Sequence, residues 1–280
     1  TITMSNDVTV VANQLRIVGN GDTPGNLLIQ SRGLTLEDGG TTIVLPSLYK
    51  TFTGVSGTWV SGIKLVNPSS AAIDAVVTFK SDDGAFTGVK TVNISANGNE
   101  ELYLPGVVLD SSASIPDMFL GSAKIESTGV VVATVQHTNY SAGDGYGVGL
   151  GYAGFSNGSS EISLPSLYKW PSGAGVWISG IKVQNLSADE VTVTINLSSD
   201  ADVAAWTGTK TVVLAGFEAK ELYLGGSDNL DGNASVPQPW KGSALVTATG
   251  SGTVKIVSTV LHTNYGRHVA NMYTGVNIAP

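Results

Sequence analysis

LPSLYK spans Leu45–Lys50 and returns unchanged at Leu164–Lys169. Other blocks return in the same order, about 120 residues further on. WVSGIKLVN from Trp59 matches WISGIKVQN from Trp177, and TGVKTV from Thr87 matches TGTKTV from Thr207. ELYL at Glu101 recurs at Glu221, and Ile115–Pro116 matches Val236–Pro237. GSA at Gly121 recurs at Gly242, HTNY at His137 recurs at His262, and Tyr152 matches Tyr273. The register between the copies drifts by only a few residues, apart from a glycine-rich insertion after Tyr140. The sequence therefore divides into an unmatched segment at 1–40, a first copy at 41–158 and a second copy at 159–280.

Within a copy the apolar residues alternate with period two. Ile73, Ala75, Val77 and Phe79 face one way, as do Val191, Val193, Ile195 and Leu197, with polar neighbours between most of them. Val, Thr, Ile and Tyr dominate these runs and suit a pleated surface. Asp83–Gly84, Asn97–Gly98 and Asn67–Pro68 punctuate them as turns. No stretch carries a capped helical period. The pattern predicts an all-β chain: two tandem, homologous β-sandwiches of immunoglobulin-like or jelly-roll type, preceded by an N-terminal strand arm. The arm reads as strands around Val8, Val10, Leu15 and Ile17, broken by a turn at 20–25. Those four residues are the expected contacts with a neighbouring subunit, through addition of a strand to its sheet. Packing of the arm on its own first sandwich is the competing reading.

Composition narrows the functions. Of 280 residues, 13% are charged, against about 25% in an ordinary domain, and the net charge is −8. The acidic balance argues against nucleic-acid partners and anionic membranes. No apolar run is long enough for a spanning helix. The chain has no cysteine, which removes disulfides, thiol catalysis and cysteine metal sites.

The candidate chemistry is sparse. His137 and His262 occupy the same place in each copy, as a fold-determining residue does, and with His268 they show no metal-ligand spacing. They are expected to bond to backbone at a strand end, and the tyrosines that follow, Tyr140 and Tyr265, to tie a corner through their hydroxyls. No nucleophile elbow is present, and the acids cluster in turns. The reading is of a protein that is not an enzyme and needs no cofactor. Asp228, Asp231 and Asn233 are weak calcium candidates without EF-hand spacing. Trp170, Trp206 and Trp240 are the glycan-contact candidates, whereas Trp59 and Trp177 read as core. Asn93, Asn139, Asn157, Asn185, Asn196 and Asn233 head N-x-Ser sequons.

The LPSLYK, W-x-SGIK, ELYL and GSA blocks resemble tandem β-sandwich repeats of secreted bacterial cell-surface proteins. That resemblance implies an exported scaffold and transfers no active site. The layout of the arm is also similar to that of filament subunits joined by donor-strand exchange. The expected function is an extracellular structural subunit of a filament or surface layer, with itself as partner. The alternative is a secreted adhesin or carbohydrate-binding module that contacts surface glycans through an exposed aromatic row.

Overall fold

The structure is a computed structural model that describes residues 11–18, 25–32, 34–54, 57–140, 147–172, 175–227, 229–264 and 269–278. Strands β1 (Val11–Val18) and β2 (Gly25–Arg32) form an antiparallel hairpin that is a two-stranded sheet of its own. Leu15 and Ile17 lie on β1, while Val8 and Val10 fall outside the described residues. The first copy follows as β3 (Gly40–Lys50), β4 (Phe52–Gly54), β5 (Gly57–Val66), β6 (Ile73–Ser81), β7 (Thr87–Ile94), β8 (Asn99–Tyr103), β9 (Phe119–Tyr140) and β10 (Gly147–Ala153). The second copy runs β11 (Glu161–Ser172), β12 (Gly175–Asn185), β13 (Val191–Ser199), β14 (Thr207–Leu214), β15 (Ala219–Tyr223), β16 (Trp240–Gly250), β17 (Ile256–Asn264), β18 (Val269–Thr274) and β19 (Val276–Asn277). The chain separates into two compact units, Thr1–Ser156 and Asn157–Pro280.

Each copy is an all-β sandwich of two antiparallel layers. In the second, β14-β13-β16-β11 makes one layer and β15-β12-β17-β18 the other. In the first, β7-β6-β9-β3 and β8-β5-β9-β10 repeat that order, because β9 bends from one layer into the other. The second copy breaks the same path into β16 and β17 at a turn containing Gly252, which adopts φ +80. Conversely, β11 crosses between layers unbroken, while Thr51 at φ 47 divides β3 from β4. This strand order differs from the ABED and CFG sheets of an immunoglobulin constant domain. Alternation places the core as expected: Ile73, Ala75, Val77 and Phe79 are buried, as are Val191, Val193, Ile195 and Leu197. Each fully buried aliphatic side chain contributes about 1.5–3 kcal/mol of transfer free energy.

The repeated LPSLYK block breaks this alternation. With period two, Leu45 and Leu48 would face opposite sides of the sheet. Both are fully buried, as are Leu164 and Leu167. The ladder shows how: Leu45 pairs with Ala123 and Leu48 with Gly121, and Leu164 and Leu167 pair with Ala244 and Gly242. One extra residue is accommodated on β3 and on β11, so the Pro–Ser pair forms a β-bulge that returns the second leucine to the core. Proline fits there because a bulge needs no ladder donor from it. Opposite the bulge only glycine is accommodated. A Cβ on Gly121 would lie 2.3 Å from the Lys80 carbonyl oxygen, and one on Gly242 would lie 2.0 Å from that of Ser198.

A bulge orphans backbone groups, and a tyrosine hydroxyl satisfies them here. The Ser47 N–H donates to Tyr152 Oη at 3.1 Å, and that hydroxyl donates to the Ser47 carbonyl at 2.7 Å. Tyr273 does the same for Ser166, at 3.4 Å and 2.7 Å. Tyr152→Phe leaves both Ser47 groups buried without this partner. Chemical denaturation should show a loss of about 1–3 kcal/mol with an unchanged m-value; a neutral substitution would mean that the hydroxyl is not what holds the bulge.

Candidate functional site

A duplicated serine, histidine and tyrosine meet beside the bulge in each copy. In the first copy Ser61 on β5 faces His137 on β9, with Oγ and Nδ1 2.8 Å apart. In the second, Ser179 on β12 and His262 on β17 stand at the same 2.8 Å. Each serine Oγ also accepts a backbone N–H, from Tyr49 and from Tyr168, both at 2.8 Å. The imidazoles sit between two rings: His137 lies 5.0 Å from Tyr49 and 5.6 Å from Tyr152 by centroid, and His262 lies 5.1 Å from Tyr168 and 5.5 Å from Tyr273. The expectation of a histidine bonded to backbone is corrected, since its partner is a serine hydroxyl. The corner tyrosines are corrected too: Tyr152 and Tyr273 carry out that task, and the Tyr140 and Tyr265 side chains lie outside the described residues.

A serine next to a histidine invites comparison with a nucleophile and its base. The geometry here is that of a packed scaffold. Ser61, Ser179 and His137 are fully buried, and the serine meets Nδ1, not the Nε2 that takes the proton in a serine-protease triad. His137 Nε2 has no hydrogen-bond partner among the described residues. Burial pulls the His137 pKa down to about 3 and that of His262 to about 4, so both imidazoles are neutral. Burial also pushes the tyrosine hydroxyls up, Tyr273 to about 12 and Tyr152 well above the usual value.

Other repeated residues complete the same frame. The buried Lys169 donates from Nζ to the Val236 carbonyl at 2.9 Å, and Lys50 donates to the Ile115 carbonyl and pairs with Asp117 at 3.2 Å. The residue before each matched proline is thus a lysine acceptor. Asn67 and Asn185, both fully buried, plug the end of β5 and of β12; the Asn185 amide donates to the carbonyls of Asp189 at 2.7 Å and Ala215 at 3.1 Å. Two sequon asparagines are therefore interior, Asn139 and Asn185, and do not mark surface.

The remaining candidates disperse. Trp240 is buried and donates to Ser199 Oγ at 3.0 Å, which removes it from the glycan contacts. Trp206 packs edge-on against it at 5.7 Å, as Phe86 does against Phe119 at 5.9 Å. Trp170 is half-buried, with Lys241 Nζ 6.0 Å from its ring. The expected aromatic row does not form from these three. Asp228 lies outside the described residues, and Asp231 and Asn233 sit in one short 3-10 turn. Among the described residues no three His, Asp or Glu side chains cluster to hold a metal ion.

Asp231 is instead engaged with a strand. Its carboxylate accepts from the hydroxyl and the backbone of Thr211 on the outer strand β14, and these bonds hold its pKa below the usual carboxylate range. Asp110 is its counterpart in the first copy. It accepts from the Thr91 N–H at 3.0 Å and hydroxyl at 2.7 Å, while its own N–H donates to the Val89 carbonyl at 2.9 Å. An aspartate loop thereby occupies the Val89 C=O and Thr91 N–H at the middle of the β7 edge, and the Thr211 backbone on the β14 edge, where another strand would otherwise pair. The other layer-one edges are covered as well, β11 by β19 and β3 by Phe155, whose N–H and C=O both pair with Val44. The β8 and β15 edges are five residues long and carry Glu100 and Glu101, and Lys220 and Glu221.

No protein-family model matches the chain, and no curated protein does. Among solved structures it is similar to that of Thermotoga maritima 1070, at 18% identity over 42% of this chain and 94% of that one, with a TM-score of 0.33.

Two outcomes follow from these arrangements. Each histidine is held neutral in the fold and has an ordinary pKa near 6.5 when unfolded, so the unfolded chain binds more protons below that pH. Stability is full above about pH 6.5 and falls by about 1.4 kcal/mol per pH unit per histidine, down towards pH 4 for His262 and pH 3 for His137. Denaturation series at pH 7, 6 and 5 should show this slope, and His262→Gln should reduce it; a flat profile would mean that the histidines do not govern it. Separately, Asp110→Ala combined with Asp231→Ala should expose both edges and lower the concentration at which light scattering detects aggregation. Unchanged solubility would show that something else closes them.

Proposed function

We propose that the chain is an extracellular, non-enzymatic structural subunit that assembles with copies of itself into a filament or surface layer through its N-terminal hairpin. One observation carries this reading. The second copy builds the complete two-layer sandwich with no counterpart of β1 and β2, so the hairpin is surplus to the fold of a domain. It stands as a separate two-stranded sheet whose Cα trace passes within 8 Å of that of β10. A two-stranded hairpin is marginal by itself and requires further packing or pairing to persist.

Supporting the same reading, the duplicated polar residues serve the scaffold: bulge, serine–histidine pair, lysine–carbonyl bond and asparagine plug. The resemblance to tandem repeats of secreted bacterial surface proteins agrees with an exported scaffold. An adhesin or carbohydrate-binding module is the second reading, and it rests on Trp170 and Trp206 now that Trp240 is buried.

Electron microscopy of the native protein tests the proposal. Regular filaments or sheets are expected, and deletion of residues 1–33 should leave monomers whose sandwiches still melt cooperatively. Monodisperse monomers of the full chain, or assemblies indifferent to the deletion, would overturn it.

A further inference from the structure

Among the described residues, the outer edge of β18 in the second sandwich stands unpaired. Natural sheets close their edges with charge, proline, short length or a covering segment. Here β7 and β14 are closed by Asp110 and Asp231, β3 and β11 by Phe155 and β19, and β8 and β15 are short and charged. The edge of β10 has β2 running beside it. Strand β18, VANMYT, has neither charge nor proline, pairs with β17 along one side, and has no described residue paired along the other.

The two copies differ where this edge lies. Leu150 pairs with His137 as Asn271 pairs with His262, so the two are equivalent. Leu150 is 8% exposed, while Asn271 is exposed; Tyr152 is 7% exposed, while Tyr273 is only half-buried. The first copy is thus sealed on the side where β2 runs, and the second is open at the matching place.

We propose that the outer edge of β18 is the acceptor for the β1–β2 hairpin of a second copy of this chain. The inference rests on the reading of the hairpin as the assembling element, and it names that element's target. Among the described residues β1 pairs with β2 alone and β18 with β17 alone, so each chain carries a donor edge, β1, and an acceptor edge, β18. The eight residues of β1 are enough to run the full length of the six-residue β18. Backbone ladder bonds supply affinity in such strand addition. Because donor and acceptor are different surfaces, the contact is head-to-tail, and repetition without closure gives a filament. The hairpin keeps its place beside its own β10, so assembly needs no strand to be withdrawn.

The test pairs a chain blocked at the acceptor with one lacking the donor. Asn271→Lys puts a charge on the β18 edge, and deletion of 1–33 removes β1. Each variant alone should sediment as a monomer, and an equimolar mixture should give a one-to-one complex between the hairpin of the first and β18 of the second. Asn271→Lys chains that assemble like the wild type would overturn β18 as acceptor while leaving the hairpin reading intact, provided that the deletion abolishes assembly. Deletion chains that assemble normally would overturn both. Two monomeric variants that fail to combine would also overturn the pairing. Should Asn271→Lys fail to fold, the cysteine-free background offers a second route: Leu15→Cys combined in turn with Asn271→Cys and Met272→Cys. Oxidation should give a ladder of inter-chain disulfides on a non-reducing gel, at least tenfold above either single variant; its absence in both pairs would overturn the proposal.

Discussion

The one-residue bulge in the first strand of each copy is the constraint on which the rest of the sandwich depends. Without it, Leu48 and Leu167 would point out of the core that they fill. The insertion has a cost, because the backbone groups of the buried Ser47 and the half-buried Ser166 leave the ladder and need other partners. Everything nearby answers that cost. Tyr152 and Tyr273 take up the orphaned groups, their rings rest on the two histidines, and the histidines are bonded to serines that in turn accept the N–H of Tyr49 and Tyr168. A short motif that reads as an ordinary strand is therefore the origin of a polar network inside an apolar interior.

Such a network tolerates little ionisation. A protonated imidazole at His137 would place a charge among aromatic rings, and burial sets its pKa low. The same geometry differs from a serine-protease triad, in which the serine meets Nε2 and not Nδ1. A catalytic base takes up a proton during reaction and is helped by a partner that stabilises the charge it gains. The serine–histidine pairs are built for the reverse, a fixed neutral geometry sealed by tyrosine.

Much of the architecture was legible in residue order. The duplication is explicit, and alternation along Ile73–Phe79 and Val191–Leu197 assigned the core face correctly because a half-buried strand reports its own orientation. What the sequence concealed depends on a partner strand. Nothing local to Pro46 and Ser47 says that they form a bulge until Gly121 is seen opposite. Ser61 and Ser179 stand inside a repeated block but take their meaning from histidines on another strand. Asp231 reads as a turn residue, and its service to Thr211 appears only when the loop is folded back over the outer strand. The tyrosine that ties the bulge lies at the far end of each copy, more than a hundred residues from its serine, beyond the reach of any local pattern. In each case the repeat marked the position, and only tertiary pairing gave the reason.

The layer order also dictates a schedule for synthesis. Within its layer β3 has a single ladder neighbour, β9, and β11 reaches its layer-one neighbour β16 only after four intervening strands. A ribosome adding about 5–20 residues per second leaves each of these strands waiting on the order of ten seconds for its mate. During that interval the most continuously buried segment of the copy, Ile43 to Lys50, is an unpaired apolar ribbon. The bulge proline in its middle is a poor template for intermolecular pairing. The residue that gives the finished sandwich its shape thus also guards the nascent chain against sticking to its neighbours.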